Sequence, residues 1–355
     1  MENAKVYLTL QNGKTFVGQR IGASGDVIGE LVFTTGVVGY VETLTDPNYC
    51  GQTVVQTFPL IGNYGVMPED AESRKSWVSA YIVREICDEP SNFRCKGKLN
   101  DYLKENGIVG ICGIDTRELT KIIREVGVMP AAITSKPLKD LEKLSSYKIE
   151  NAVNKVTCQE VEYYGNPENA KVVVWDMGVK NSVINALVNK NLYVIKVPAF
   201  YTAEQIAQLN PQGLVVSNGP GNPAENVDVI AELKKLMGKL PVLGIGLGHQ
   251  LVALAVGGKT QKMKHGHRGG NQPVKCLKCG KVFLTNQNHG YEVVTSSVEN
   301  LGEVRFANVN DGSCEGVFYH DLNAITVQFY PTACGGGRDT TFIYDKFIEK
   351  IKEVK

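Results

Sequence analysis

The sequence has almost no net charge, since 38 Lys and Arg residues are balanced by 37 Asp and Glu residues to leave +1. This excludes a nucleic-acid-binding protein that works through its overall charge, although a local basic patch stays open. Neither an internal repeat nor a low-complexity tract is visible. The 355 residues are enough for roughly two globular domains.

Long hydrophobic runs are missing as well. The most apolar stretch, residues 241–258, holds five glycines and is interrupted by His249 and Gln250, so it is too short and too polar for a membrane span. The first residues contain no basic segment followed by an apolar one, and we therefore expect no signal peptide. We expect a cytoplasmic protein that binds neither a membrane nor a nucleic acid.

The cysteine pattern does not suit a disulfide scaffold. Nine cysteines cannot all pair within one chain, and their scattered positions are typical of a reducing compartment. Cys276 and Cys279 have the spacing of half a zinc ribbon, and His265 and His267 could complete four ligands, but no second C-x-x-C follows. A hairpin turn is the favoured interpretation of this pair, and neither a metal nor a cofactor is predicted.

The first half of the chain predicts short strands and two helices. The apolar patterns predict strands over residues 6–10, 16–18 and 30–35 and helices over residues 100–106 and 116–126. Asn12-Gly13 is a strong hairpin-turn signal between the first two strands. Asp115 is the expected N-cap of the second helix, and Glu118 would complete a capping box.

A change of composition predicts a domain boundary near the middle of the chain. Residues 137–170 are rich in Lys, Glu and Asn and poor in large apolar residues. We expect a mixed α/β domain over residues 1–152, a linker over 153–169 and a second domain over 170–355. In the second domain, strands over residues 171–175, 192–197, 213–217 and 241–245 alternate with helices over residues 182–190 and 227–237.

This alternation predicts a doubly wound, mostly parallel α/β sheet, whose active site lies where the strands end. Three unusual loops occupy such positions. Residues 217–223 combine two glycines and two prolines, and their backbone amides suit a carboxylate or an oxyanion, although a plain strand-to-helix turn explains them equally well. Residues 244–251 have the spacing of a nucleophile elbow, but Gly246 stands at its centre. Residues 286–291 form the third loop.

Together these motifs resemble the small subunit of carbamoyl phosphate synthetase, which carries a class I glutamine amidotransferase domain. The resemblance runs over nearly the whole chain. Its motifs are residues 29–33, 44–47, 59–65, 90–93 and 113–117 in the first half and residues 178–181, 217–223, 248–250, 266–271 and 286–291 in the second. The resemblance implies the family's small-subunit N-terminal domain in the first part and its amidotransferase domain in the second.

In that family a Cys at the elbow attacks the side-chain amide of glutamine, and a His held by a Glu acts as the base. This chain has Gly246, Tyr330 and Thr332 at those three positions. Glycine offers no nucleophile, and a tyrosine hydroxyl, with an ordinary pKa of about 10, is a poor base at neutral pH. The resemblance therefore implies a scaffold with no intact catalytic residue. Three coordinated losses indicate natural decay or repurposing.

The positions that contact glutamine in the family are mostly kept in kind. These positions are Gly219, Gly221, Leu247, Gln250, Asn288, Gly290 and Tyr291, while Asn48 replaces a Ser of the N-terminal domain. The pocket therefore stays a candidate for a ligand of glutamine size.

The leading hypothesis is a small subunit that hydrolyses no glutamine and supports a large synthetase subunit using free ammonia for arginine and pyrimidine synthesis. One alternative is a binding module for glutamine or another amino acid. Another is a rewired enzyme that uses Cys334 together with His289.

Overall fold

The computed structural model describes residues 4–332 and 339–353. The chain divides into two compact units, residues 1–150 and residues 151–355. Within the described residues, no helix is both long enough and apolar enough to cross a bilayer.

The first unit is built around a closed barrel of seven strands. Its strands are β1 (Lys5–Leu10), β2 (Thr15–Gly22), β3 (Val27–Thr34), β4 (Gln52–Gln56), β5 (Leu60–Ile61), β6 (Ala80–Ile82), β7 (Glu85–Ile86), β8 (Val109–Cys112) and β9 (Met129–Thr134). Its helices are α1 (Tyr40–Thr45), α2 (Leu99–Glu105), α3 (Thr116–Val126) and α4 (Glu142–Ser145). The barrel order is β1-β2-β8-β6-β4-β3-β9, and β5 pairs with β7 separately.

Local sequence signals explain two features of this unit. The predicted hairpin is confirmed, because β1 and β2 pair antiparallel and Gly13 takes the left-handed φ of 86° that the turn needs. The predicted N-cap is confirmed too, since the Asp115 carboxylate accepts from the Glu118 backbone N–H at 2.9 Å. The predicted capping box is wrong, because the Glu118 carboxylate lies 2.5 Å from Lys14 Nζ instead of bonding the N-cap backbone.

The second unit is a ten-stranded sheet with helices. Its strands are β10 (Glu162–Tyr164), β11 (Ala170–Asp176), β12 (Leu192–Pro198), β13 (Gly213–Val216), β14 (Val242–Ile245), β15 (Thr260–Cys276), β16 (Val282–Val293), β17 (Glu303–Asn308), β18 (Cys314–Tyr319) and β19 (Ala324–Val327). Its helices are α5 (Ala152–Val156), α6 (Asn181–Asn189), α7 (Ala203–Gln208), α8 (Val227–Leu236), α9 (Leu247–Ala255) and α10 (Phe342–Glu353). The strand order is β10-β12-β11-β13-β14-β19-β18-β16-β15-β17.

The centre of this sheet is parallel and buried on both faces. Strands β12, β11, β13, β14 and β19 run parallel. Alternate residues of β11 enter different cores, with Val173 and Trp175 on one face and Val172 and Val174 on the other. Helices α7, α8 and α9 pack on the first face, and α6 and α10 pack on the second. The expected doubly wound α/β fold is thereby confirmed.

Part of the segment predicted as a linker forms secondary structure that belongs to the second unit. Residues 153–169 contain most of α5 and all of β10, and β10 pairs antiparallel with β12. The predicted linker therefore includes an edge strand of the sheet, which its polar composition did not indicate. The assignment of residues 1–152 and 170–355 to separate functional domains stays a prediction.

Candidate functional site

The elbow lies between the end of β14 and the start of α9. Gly246 has φ 57° and ψ −111°, a backbone conformation that a residue with a side chain adopts only under strain. Its N–H donates to the Val327 carbonyl at 2.9 Å, which ties the turn to the neighbouring strand. A Cβ atom on Gly248 would lie 1.9 Å from the Val216 carbonyl oxygen, so α9 begins closer to β13 than any other residue would permit.

Tyr330 lies beside the elbow, as the motif predicted. A Cβ atom on Gly246 would lie 3.2 Å from Asn218 Cβ and 3.7 Å from Tyr330 Cε1. Tyr330 is 2% exposed, and its hydroxyl donates to the Asn288 carbonyl at 3.3 Å. Lys180 Nζ lies 4.6 Å from the ring centroid, within cation–π range. A packed aromatic ring therefore occupies the space next to the nucleophile position.

The third degenerate triad position is also buried. Thr332 is 3% exposed, and its hydroxyl has no hydrogen-bond partner among the described residues. The predicted alternative nucleophile, Cys334, lies outside the described residues.

The glycine–proline loop after β13 folds back onto the elbow helix. Ser217 Oγ accepts from the Met177 N–H at 2.9 Å. A Cβ atom on Gly219 would lie 2.2 Å from the Met177 carbonyl oxygen and 2.8 Å from Leu247 Cδ2. Gly219 and Leu247, two predicted pocket residues, are thus neighbours at the start of α9. Gly221 takes a φ of 87°, which keeps the loop in a turn that suits glycine.

The other predicted pocket residues lie along β16 and the facing part of α9. The buried Gln250 amide donates to the Tyr291 carbonyl at 2.7 Å and to Gln328 Oε1 at 2.8 Å, so both amide hydrogens are used within the protein. A Cβ atom on Gly290 would lie 3.2 Å from the guanidinium of Arg268. Asn48 belongs to the first unit, and its predicted place in a glutamine pocket stays a prediction.

Sequence reasoning missed a buried polar cluster on the antiparallel half of the sheet. His267 Nε2 lies 2.9 Å from Asp311 Oδ2, and His267 Nδ1 lies 3.4 Å from Glu315 Oε1. The Gln287 amide donates to Glu315 Oε2 at 3.0 Å, and Gln287 Oε1 lies 2.8 Å from His289 Nε2. A glutamate within the otherwise apolar strand β18 was the one signal that could have indicated this cluster.

The electrostatics of this cluster follow from burial and from two carboxylates. Burial lowers the pKa of His267, but the hydrogen bond and charge of Glu315, together with Asp311, raise it overall. Burial raises the pKa of Glu315 against the opposing hydrogen bond from His267. Burial also holds the pKa of His289 well below its ordinary value. The two acidic groups therefore favour the protonated form of His267.

The same cluster has the ligand types of a metal site. Atoms of His267, His289 and Glu315 that could bind an ion lie within 4.8 Å of one another. Each of these side chains, however, already makes hydrogen bonds within the protein. The cluster therefore explains the packing of the sheet without an ion.

His249, which follows the elbow, is a buried neutral histidine. Burial lowers its pKa to about 3. Its Nδ1 lies 2.8 Å from Thr326 Oγ1, and because that hydroxyl donates to the Val317 carbonyl, Nδ1–H of His249 is the donor. Nε2 has no partner among the described residues. Protonating His249 would therefore place an unpaired charge in the core.

We expect His249→Gln to reduce the acid sensitivity of the second unit. The unfolded chain binds a proton at His249 below about pH 6.5, whereas the folded chain binds it only near pH 3. Stability from this residue is therefore present above pH 6.5 and is lost as pH falls, by about 1.4 kcal/mol per pH unit. The measurement is urea unfolding at pH 7, 6 and 5, followed through Trp175 fluorescence in a Trp77→Phe background.

The matched control for this prediction is Thr326→Val. It removes the hydrogen-bond partner of His249 but leaves the titrating ring in place. We expect it to lower stability at every pH while keeping the parental slope. Equal slopes in His249→Gln and its parent would contradict the prediction.

Comparison with known proteins gives a consistent pattern over both units. The family model described as "Carbamoyl-phosphate synthase small chain, CPSase domain" matches residues 8–133, and the model "Glutamine amidotransferase class-I" matches residues 173–350. A carbamoyl phosphate synthase small chain of Clostridium perfringens is 44% identical over 348 residues, covering 97% of this chain and 99% of that relative.

A second relative and one solved structure are also similar to parts or all of this chain. The small chain of Syntrophotalea carbinolica is 42% identical and covers 98% of both chains. Among solved structures, a glutamine amidotransferase of Thermotoga maritima aligns with 53% of this chain and 84% of its own length, at 18% identity and a TM-score of 0.37.

Proposed function

The chain belongs to the family of carbamoyl phosphate synthase small chains, and from that premise we propose that it is a small subunit that hydrolyses no glutamine. In this proposal it is the cytoplasmic partner of a large synthetase subunit. That subunit would form carbamoyl phosphate from bicarbonate, free ammonia and two ATP, for use in arginine and pyrimidine synthesis.

The observation that carries the proposal is Gly246 at the elbow. Amide hydrolysis through a thioester requires a sulfur atom at this turn, and glycine supplies no side chain. The backbone still has the strained φ and ψ of an elbow, and glycine relieves that strain. The loss of the nucleophile is therefore compatible with an intact scaffold.

The surroundings of Gly246 support the same conclusion. The Tyr330 ring lies 3.7 Å from the place of a Cβ atom at residue 246, and Lys180 packs over that ring. The Tyr330 hydroxyl donates its proton to the Asn288 carbonyl, and a phenol is a poor base at neutral pH. Thr332 carries no carboxylate that could orient or charge-stabilise an imidazolium.

The test is carbamoyl phosphate synthesis by the full chain co-purified with a cognate large subunit. We expect the complex to use ammonium chloride and to give no product above background with glutamine. The large subunit alone provides the reference for what this chain contributes to ammonia use. As a matched control, the same large subunit should use glutamine when combined with a small chain that has the Cys, His and Glu of the family.

Two results would contradict the proposal in different ways. Glutamine-dependent synthesis by the native complex would show that hydrolysis persists. If the two chains do not co-purify although the control small chain binds the large subunit, the proposed partnership is wrong. The predicted absence of glutamine hydrolysis would then be tested on this chain alone.

A further inference from the structure

The turn between β15 and β16 brings two thiols together. The Cys276 N–H donates to the Lys281 carbonyl at 2.8 Å, and the Gly280 N–H donates to the Cys276 carbonyl at 2.8 Å. Gly280 has a φ of 74°, so a left-handed residue closes the turn immediately after Cys279. Residues 276 and 279 therefore belong to the same tight turn, and the Cys276 side chain is one of the groups that act on the Cys279 thiol.

The two thiols differ sharply in environment. Cys276 is 6% exposed and packs in the sheet core, where its backbone is paired with Phe306. Cys279 is exposed at the tip of the hairpin. The same turn therefore carries one accessible thiol and one thiol that solvent barely reaches.

The surroundings of Cys279 favour its thiolate. The hydrogen bond from Cys276 lowers the pKa of Cys279 most, and a hydrogen bond from the Lys281 N–H and the positive charge of Lys281 lower it further. By contrast, burial raises the pKa of Cys158 and of Cys314 to about 12. Of these three thiols, Cys279 is the one whose surroundings favour the thiolate.

We propose that Cys276 and Cys279 form a dithiol–disulfide exchange site, with Cys279 as the attacking sulfur and Cys276 as the resolving sulfur. The oxidant is a low-molecular-weight disulfide. The Cys279 thiolate attacks one of its sulfur atoms, which forms a mixed disulfide and releases one thiolate. Cys276 gives its proton to that thiolate, which leaves as a thiol, and the Cys276 sulfur attacks the Cys279 sulfur, which releases the second half of the external disulfide as a thiolate. The two cysteines lose two electrons, and the external disulfide gains them.

A dithiol–disulfide exchange site explains why one cysteine of the pair is buried and the other exposed better than a metal site does. A structural zinc ion needs four ligands, and the Cys276 sulfur is too buried to face a second molecule. An intramolecular disulfide needs only the neighbouring thiol. The exchange site is independent of glutamine hydrolysis and of the large subunit.

The test is reaction of the full native chain with oxidised glutathione, followed by acid quenching, alkylation and peptide mass spectrometry. We expect one disulfide that links Cys276 and Cys279. Cys276→Ser should stop at a glutathione adduct on Cys279, and Cys279→Ser should leave Cys276 unmodified. At neutral pH, iodoacetamide should alkylate Cys279 about tenfold faster than Cys95, a partly exposed cysteine of the first unit. Cys95→Ser is the matched control and should behave as the parent.

Because Cys276 is buried, its replacement could impair folding, and a titration of the parent protein gives a second measurement. In graded mixtures of reduced and oxidised glutathione, the disulfide should form along a single two-electron curve. The proposal is overturned if the folded parent forms no such disulfide, or if Cys279→Ser acquires an adduct on Cys276. Retention of one Zn²⁺ that blocks alkylation of both thiols would also overturn it, in favour of a metal site.

Discussion

The triple variant Gly246→Cys, Tyr330→His, Thr332→Glu is expected to release ammonia from glutamine at least about a thousandfold faster than the native chain. In the proposed function, Gly246, Tyr330 and Thr332 stand where the family has its nucleophile, its base and the residue that orients the base, and such residues act as a unit. The elbow turn, the start of α9 and the loop at Gly219 are present to receive them. Glutamate production by the purified variant, alone and with a large subunit, is the measurement.

The single variant Gly246→Cys is the matched control, and we expect it to hydrolyse glutamine no faster than the native chain. Its Cβ would lie 3.7 Å from the Tyr330 ring, so the new sulfur would face an aromatic edge instead of an imidazole. The positive φ of residue 246 should also lower stability by about 1–3 kcal/mol in every variant that carries the Cys. Thermal unfolding of single and triple variants measures that cost.

Either of two outcomes would change the interpretation. If the triple variant folds normally but hydrolyses no glutamine, the chain has lost other features needed for hydrolysis besides these three residues. Hydrolysis by the native chain would contradict the proposed function, and Cys334 would become the first residue to replace.

Glu315→Ala is expected to lower the free energy of unfolding of the second unit by about 3–5 kcal/mol. Glu315 is fully buried and faces His267, the Gln287 amide and the Asn308 amide at 3.0–3.4 Å. Its removal leaves those partners buried without an acceptor, and it takes away one of the two acidic groups that face His267. Urea unfolding followed through Trp175 fluorescence in a Trp77→Phe background reports on this unit.

Glu315→Gln is the control for volume and hydrogen bonding. It fills the same space and can keep its hydrogen bonds if the Gln287 amide turns over, so we expect a loss of about 1–2 kcal/mol. A loss from Glu315→Ala below 1 kcal/mol at pH 7 would contradict the assigned role. A double-mutant cycle with His267→Ala would measure how much of the effect comes from that pair.

Local sequence patterns predicted several of the strands, turns and helix starts correctly. The continuous apolar run at residues 171–175 became β11, which is buried on both faces. Asn12-Gly13 marked the first hairpin, and Asp115 marked the start of α3. In each case neighbouring residues alone decide the outcome, because turn and cap preferences act over a few residues.

The parts that local patterns missed depend on contacts between distant residues. The closed barrel of the first unit pairs β1 with β9, and local periodicity does not predict which distant strands pair. Strand β10 lay within a predicted linker because an edge strand of three residues carries almost no periodic signal. The C-x-x-C spacing of Cys276 and Cys279 did not show that the first cysteine is buried and the second exposed.

The sequence by itself determined which chemistry the elbow can perform, because the absence of a sulfur, an imidazole and a carboxylate at residues 246, 330 and 332 is a property of composition and position. Tertiary structure decided how the Tyr330 ring packs beneath Lys180 and, at a separate place in the sheet, that the Glu315 carboxylate is enclosed with His267. The physical reason is that the pKa and reactivity of a group depend on burial and on neighbours brought together by folding, which residue order does not specify.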